Sequence, residues 1–349
     1  MEVCFVDVAQ GASSVLLLGN REAIVIDAGG RHQSRVVLDF LKTARVDTIS
    51  RLIVTHNHAD HSAGAAAILT EYQGSVGEVW MLYDSVLGGS MFWNRVAEEI
   101  ATGRLSRTHV RRLERGPDPN VVYDKNGAIL AILAPDLIGN VVANQQAKPN
   151  DTSGILLLMQ AGQQVVFAGD ATLTDWRNLW TITQAALPCL LMTVPHHGGK
   201  TWEKEPKESD QTFAARIQVE LDWLFTHAVR PRVGVISVGT SNTFKHPRPE
   251  VIAALRRNGV TPVCSQMTKQ CEPSLEAQRA RALPIIEPSR SSPTLETTRK
   301  GASSNVACAG TLVAELLPGR CVIRRLGELQ GVIGQIAPVT ATTGPLCRR

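Results

Sequence analysis

The chain has 349 residues, 44% of them hydrophobic, which is ample for a sizeable buried core. A mean hydropathy of −0.02, with no apolar run near the roughly 18 residues of a spanning helix, argues against a membrane protein. The formal net charge of +4 is too mild to specify a polyanionic partner by itself.

In chain order, short apolar or alternating runs predict strands at 3–8, 15–18, 23–27, 51–55, 79–82, 128–133, 154–159, 165–168, 190–194 and 233–238. Helical patterns fall between them at 34–43, 63–71, 91–101, 175–183, 211–225 and 250–258. Strands interleaved with helices indicate an α/β or α+β fold. The first residues run straight into strand-like sequence without a basic n-region, apolar h-region or cleavage site, so a cytoplasmic location is expected.

Arg104, Arg107, Arg111, Arg112 and Arg115, with His109 among them and only Glu114 opposing, lie at helix-compatible spacing. They predict either a basic helical face for phosphates or an ordinary solvated helix. Residues 272–305 are rich in Pro, Ser, Arg and Thr and read as a loop-like insertion. Strand character resumes at 306–316, so the expected domain is 1–318 with a C-terminal extension at 319–349.

Seven cysteines, Cys4, Cys189, Cys264, Cys271, Cys308, Cys321 and Cys347, form an odd set without a compact framework. Reduced, packed thiols are the preferred reading. A metal pair at Cys264 and Cys271 is disfavoured, because their spacing is not that of a zinc knuckle.

The most informative stretch is 55–64, Thr-His-Asn-His-Ala-Asp-His-Ser-Ala-Gly. His56, His58, Asp60 and His61 crowd into six positions after the apolar run Leu52, Ile53, Val54. Imidazole nitrogens and carboxylate oxygens are ligands for zinc, manganese or iron. Residues at i and i+2 leaving a strand point the same way, so His56 and His58 can hold one cation. Asp60 and His61, turning into the next helix, can face a second. The bland alternative, a polar loop with satisfied histidines, fits four such residues poorly.

The pattern His-x-His-x-Asp-His after a buried strand resembles the main metal loop of the metallo-β-lactamase fold hydrolases. Further markers follow in the family's order: Ile24-Val25-Ile26-Asp27-Ala28-Gly29, Val165 to Asp170, Pro195-His196-His197-Gly198 and Lys245-His246-Pro247. With Asp7-Val8-Ala9-Gln10-Gly11, these are most similar to the soluble hydrolase domain of the ComEC DNA-uptake proteins. The departures are Ala9, Ala12, Gly199 and Lys245, where that branch carries Gly, Asp, Ser and Gly.

The resemblance implies a four-layer αββα sandwich of α+β class and a centre of two divalent ions, zinc or manganese. It assigns His56 and His58 to the first ion, Asp60, His61 and His246 to the second, with Asp170 bridging and Asp27 orienting a ligating imidazole. Two such cations, roughly 4 Å apart, can activate water and hold a phosphoryl oxygen. Beside two glycines, His196 and His197 suit a general acid or a phosphate clamp, the alternative being a buried pair at the sheet edge. Lys200 and Lys245 offer phosphate contacts, whereas His32 and His109 have no motif around them.

Many family members supply a third histidine to the first ion, and this chain has none at the expected place. There it carries Asn150-Asp151-Thr152-Ser153, matching the branch's Asn-x-x-Ser. Either Asn150 or Asp151 gives an oxygen, tilting selectivity toward manganese, or the first ion binds more weakly. The leading expectation is a metal-dependent phosphodiesterase, a nuclease with DNA as partner. The alternatives are a hydrolase of a cyclic nucleotide, lactone or thioester, and a non-catalytic scaffold in a larger complex.

Overall fold

Leucine-rich and β-branched runs build two mixed sheets. The computed structural model describes residues 1–82, 91–116, 120–136, 152–240, 242–268, 270–271, 308–324 and 346–347. One sheet contains β1 (Glu2–Phe5), β2 (Ser13–Gly19), β3 (Glu22–Ala28), β4 (Thr48–Ile53), β5 (Val76–Met81), β6 (Val110–Arg112), β14 (Leu312–Leu317) and β15 (Arg320–Ile323). Its order is β15-β14-β1-β2-β3-β4-β5-β6. The other contains β7 (Asn120–Lys125), β8 (Ala128–Ala134), β9 (Ile155–Gln160), β10 (Gln163–Phe167), β11 (Leu187–Thr193), β12 (Val229–Ile236) and β13 (Thr261–Cys264), in the order β13-β12-β11-β10-β9-β8-β7.

Side-chain alternation sorts these strands into layers. Ile24 and Ile26 of β3 meet Leu156, Leu158 and Phe167 between the sheets. Ala23 and Val25 face the other way, onto Val37 and Leu41 of α1 (Ser34–Thr43) and Ile68 of α2 (Ala59–Glu71). The same outer layer takes Phe92 and Val96 of α3 (Met91–Ala101). Across the second sheet, Trp176 of α4 (Leu173–Thr183), Leu221 of α5 (Asp210–Trp223) and Leu255 of α6 (Pro249–Arg257) pack on Val166, Met192 and Ile236. Three cores between four layers make the αββα sandwich. No helix among the described residues is long and apolar enough to cross a membrane.

The expected basic helix is not there. Arg107–His109 is a single 3-10 turn and Val110–Arg112 is the edge strand β6, parallel to β5. Ser106 accepts from the backbone N–H of Thr108 and starts that turn, after which pairing with Val79, Trp80 and Met81 extends the chain. The arginines are dispersed onto acids: Arg104 forks onto Glu99 at 2.9 and 3.1 Å, Arg112 meets Glu114 at 2.8 Å, and Arg111 lies 3.8 Å from Glu78. Strands β6, β7, β13 and β15 carry too few residues or too mixed a pattern to stand out in the sequence. The extension expected from 319 begins with β15, which pairs antiparallel with β14. Residues 272–305 lie outside the described residues.

One close approach positions everything that follows. A Cβ at Gly64 would stand 1.9 Å from the Ala28 carbonyl oxygen, and the Gly64 N–H donates to Gly29 at 2.9 Å. Glycine therefore lets the first turns of α2 lie directly on the end of β3. Gly64→Ala is expected to lower the urea midpoint, costing about 1–3 kcal/mol of overpacking. A wild-type unfolding curve would show that α2 can move off the strand freely.

Candidate metal centre

The centre begins with a bulge. Ser13 pairs with Ala28 and Ser14 with Ile26, so Asp27 has no ladder partner, and its φ is +56°. Bulges re-aim side chains. Asp27, 2% exposed, accepts from the Thr55 backbone N–H and hydroxyl at 2.7 Å each and from His61 Nδ1 at 2.8 Å. With Nδ1 held this way, His61 directs Nε2 into the centre, as an outer carboxylate does for ligating imidazoles generally.

Around that nitrogen the two sheets contribute together. His61 Nε2 lies 3.2 Å from Asp170 Oδ1 and 3.2 Å from His197 Nε2. His56 Nε2 lies 3.4 Å from Asp170 Oδ2, and His197 Nε2 lies 3.4 Å from Asp60 Oδ2. Two sets result, His56 with His61 and Asp170, and Asp60 with His61 and His197, each with its donor atoms within 4.8 Å of one another. Both His56 Nε2 and Asp170 Oδ1 are buried without a hydrogen-bond partner. Such groups normally find one, and nitrogen and oxygen donors converging on one point fit a divalent cation of the zinc or manganese kind.

Electrostatics agree with that geometry. Burial opposes charge on His61, yet Asp170 and Asp27 outweigh it and hold the imidazolium well above the ordinary histidine range. Burial likewise opposes charge on Asp170, but His61, His56 and His197 keep its carboxyl well below the usual range. Asp60 is lowered too, by its hydrogen bond to His197 and by His61, against burial. His56 and His58 are lowered chiefly by burial. His246 falls to about 4 through burial and the neighbouring His197 and His196.

The remaining predicted residues take up distinct places. His58 caps α2 and is half-buried, its ring centroid 4.8 Å from that of His56. It joins neither close set, because the first turn of α2 brings His61, not His58, onto His56 at 4.1 Å between centroids. His246 lies a ring farther out, 6.1 Å from His197 and 5.2 Å from His196, so the third member of the Asp60 set is His197. His196 Nδ1 donates to the Lys200 carbonyl at 2.7 Å, leaving Nε2 3.8 Å from Asp170 Oδ2. Both His196 and His197 have left-handed backbone, φ +51° and +55°. Strain of that kind persists only where the surroundings impose it, and it clusters at functional sites. Lys200 and Lys245 are exposed nearby in the chain, and Asn150 lies outside the described residues.

A scan against family models matches residues 8–213 to the metallo-beta-lactamase superfamily. The chain belongs to that superfamily. Among curated proteins, ComE operon protein 3 of Bacillus subtilis (strain 168) is 22% identical over 278 residues, covering 74% of this chain. The chain spans about a third of that relative, 31% of its length. Similar solved structures include human tRNase Z, short form (13% identity, TM-score 0.39, covering 68% of this chain and 92% of that one). Another is Igni18, a metallo hydrolase of Ignicoccus hospitalis (14% identity, TM-score 0.44, covering 75% and 94%).

Two supports of this metallo-beta-lactamase centre were not singled out from the sequence. The Ser153 hydroxyl accepts from the Asp170 N–H at 2.8 Å and sits 3.4 Å from His56 Nδ1; its signal was the Asn-x-x-Ser pattern, read there for an oxygen of Asn150 or Asp151. Gly11 is the other. A Cβ there would lie 2.4 Å from the Asp60 carbonyl, at φ +124°, and the Ala12 N–H donates to that carbonyl at 3.1 Å. The Asp7 loop thus seats the backbone of Asp60.

Because Asp170 and Asp27 favour the protonated form of His61 against burial and a cation needs the bare nitrogen, metal uptake should release protons and weaken as pH falls. Calorimetry in buffers of different ionisation enthalpy reads this directly. Asp27→Asn should cost roughly 10–100-fold in metal affinity with far-UV circular dichroism unchanged. Unaltered affinity would leave Asp27 a purely structural part.

Proposed function

We propose that this chain is a metal-dependent phosphodiesterase, a nuclease acting on DNA with two divalent ions, zinc or manganese. The observation that carries it is the rim of the centre. Phe244 is 63% exposed, and its ring lies 13° from parallel to that of His246 at 5.7 Å. An exposed aromatic at the rim of a His/Asp centre suits a stacked base, and the adjoining Lys245 suits a phosphate. The Asp7, His196-His197 and His246 motifs shared with ComEC-type proteins support a nucleic-acid substrate. The dispersed arginines of 104–115 do not.

Divalent ions held by His56, Asp60, His61, Asp170 and His197 would supply an activated water and charge compensation at phosphorus. The chain does the rest. Asp27 and Ser153 hold two of the donors in orientation, and Gly11 fixes the Asp60 backbone. His196, fixed through Nδ1 on Lys200, presents Nε2 at the centre, where it can hold a proton for the leaving oxygen. Lys200 and Lys245 can engage the flanking phosphates.

With Mn²⁺ the purified protein should degrade single- or double-stranded DNA, while EDTA, Asp60→Ala and Asp170→Ala each reduce turnover to background. Turnover that survives EDTA would end the metal mechanism, and activity confined to a lactone or thioester would favour a small-molecule hydrolase. Phe244→Ala should raise KM for an oligonucleotide about 5–150-fold, the loss of about 1–3 kcal/mol of base stacking, and leave hydrolysis of a small chromogenic phosphodiester unchanged. Equal loss on both substrates would remove the stacking role.

A further inference from the structure

Four of the seven cysteines lie near the end of β13, far along the chain from the His/Asp motif loop. Cys264 is the last residue of that strand. Residues 308 and 309 return to it through two backbone hydrogen bonds, Cys308 N–H to Ser265 O and Ala309 N–H to Cys264 O, both 2.9 Å. Cys271 stands one turn further on, its N–H donating to Thr268 O at 2.9 Å. The Cys271 sulfur accepts from the Leu346 N–H at 3.4 Å, which brings Cys347, the next residue, alongside.

Cys264, Cys271 and Cys308 are each 5% exposed, and Cys347 is half-buried. Burial, and then the neighbouring Cys347, Cys271 and Cys308, push the Cys264 thiol well up. Cys4 and Cys189 differ. They pack singly in β1 and β11 and are pushed up to about 12 chiefly by burial, the behaviour of inert core thiols.

We propose that Cys264, Cys271, Cys308 and Cys347 form a structural zinc site, distinct from the His/Asp centre. Four sulfur ligands select a soft, tetrahedral ion, and zinc is the commonest such guest. Zinc–sulfur bonds of about 2.3 Å place ligand sulfurs about 3.8 Å apart. Among the described residues no three of these sulfurs lie within 4.8 Å of one another, so binding has to draw at least two of them inward. Each thiol gives up its proton as it ligates.

The site would clip three separated segments to one strand end. Its immediate neighbours are mechanically important. The Ser265 hydroxyl accepts from the Val238 N–H at 2.8 Å, and Gln266 takes the Thr240 N–H at 2.9 Å and donates to Asp7 at 2.9 Å. The clip therefore braces both the loop that carries His246 and the Asp7 loop that seats Asp60.

The test separates this ion from any in the His/Asp centre. Asp170→Ala protein, exhaustively dialysed against EDTA, should retain about one zinc per chain by mass-spectrometric metal analysis and release it to an organomercurial. Adding Cys271→Ser or Cys308→Ser should remove that equivalent and lower the thermal midpoint. Zinc content indifferent to both substitutions would overturn the proposal, as would a disulfide among the four in the non-reduced intact mass. Should the serine variants fail to fold, cobalt loading of the unsubstituted chain decides. Intense thiolate-to-cobalt absorption in the near ultraviolet is expected, and its absence refutes the site.

Discussion

The carboxylate of Asp27 ties the two halves of the metal loop together. Its three hydrogen bonds, two to Thr55 and one to His61, span the passage from the end of β4 into α2. A side chain with no ladder partner at a bulge is available for this task, and burial at 2% exposure strengthens each bond by excluding competing water. Gly64 allows the geometry, since only a residue without Cβ lets α2 rest on the Ala28 carbonyl. Remove either and His61 has no fixed direction.

From that constraint the division of labour follows. His56, His58, Asp60 and His61 come from the loop after β4 of the first sheet and the start of α2, and Asp170, His196 and His197 come from loops after β10 and β11 of the second. The core between the sheets, with Ile26, Phe167 and Leu158 at its centre, therefore sets the distance between the two groups of donors. Packing density makes that distance stiff. Burying His56, His61 and Asp170 together is costly for stability in the absence of a cation, because donor atoms such as His56 Nε2 lack partners. Stability is given up at the place where chemistry is proposed.

Much was legible in advance. The helices 34–43 and 91–101 stand where the 3.6-residue period puts them, and the principal strands follow from their apolar runs. The arginines at 104–115 misled because helix-compatible spacing also fits a short turn followed by a strand, and only pairing with β5 distinguishes them. At the centre, the motif positions of Asp27 and His61 were legible in the sequence, whereas the closeness of His197 to Asp60 and His61 was not. It goes with two successive left-handed residues, a backbone choice that nothing in the letters Pro-His-His-Gly announces.

What the amino-acid order determined alone is local: donor types, their clustering in the loop from Thr55 to Gly64, and periodicities that separate strands from helices. These depend on neighbours in the chain, so they survive without knowledge of the fold. Which histidines share an oxygen of Asp170, and which cysteines gather around β13, was decided by tertiary structure. Cys264 and Cys308 are neighbours because the backbone of 308 and 309 hydrogen-bonds to the end of β13, and metal geometry depends on separations in space rather than along the sequence.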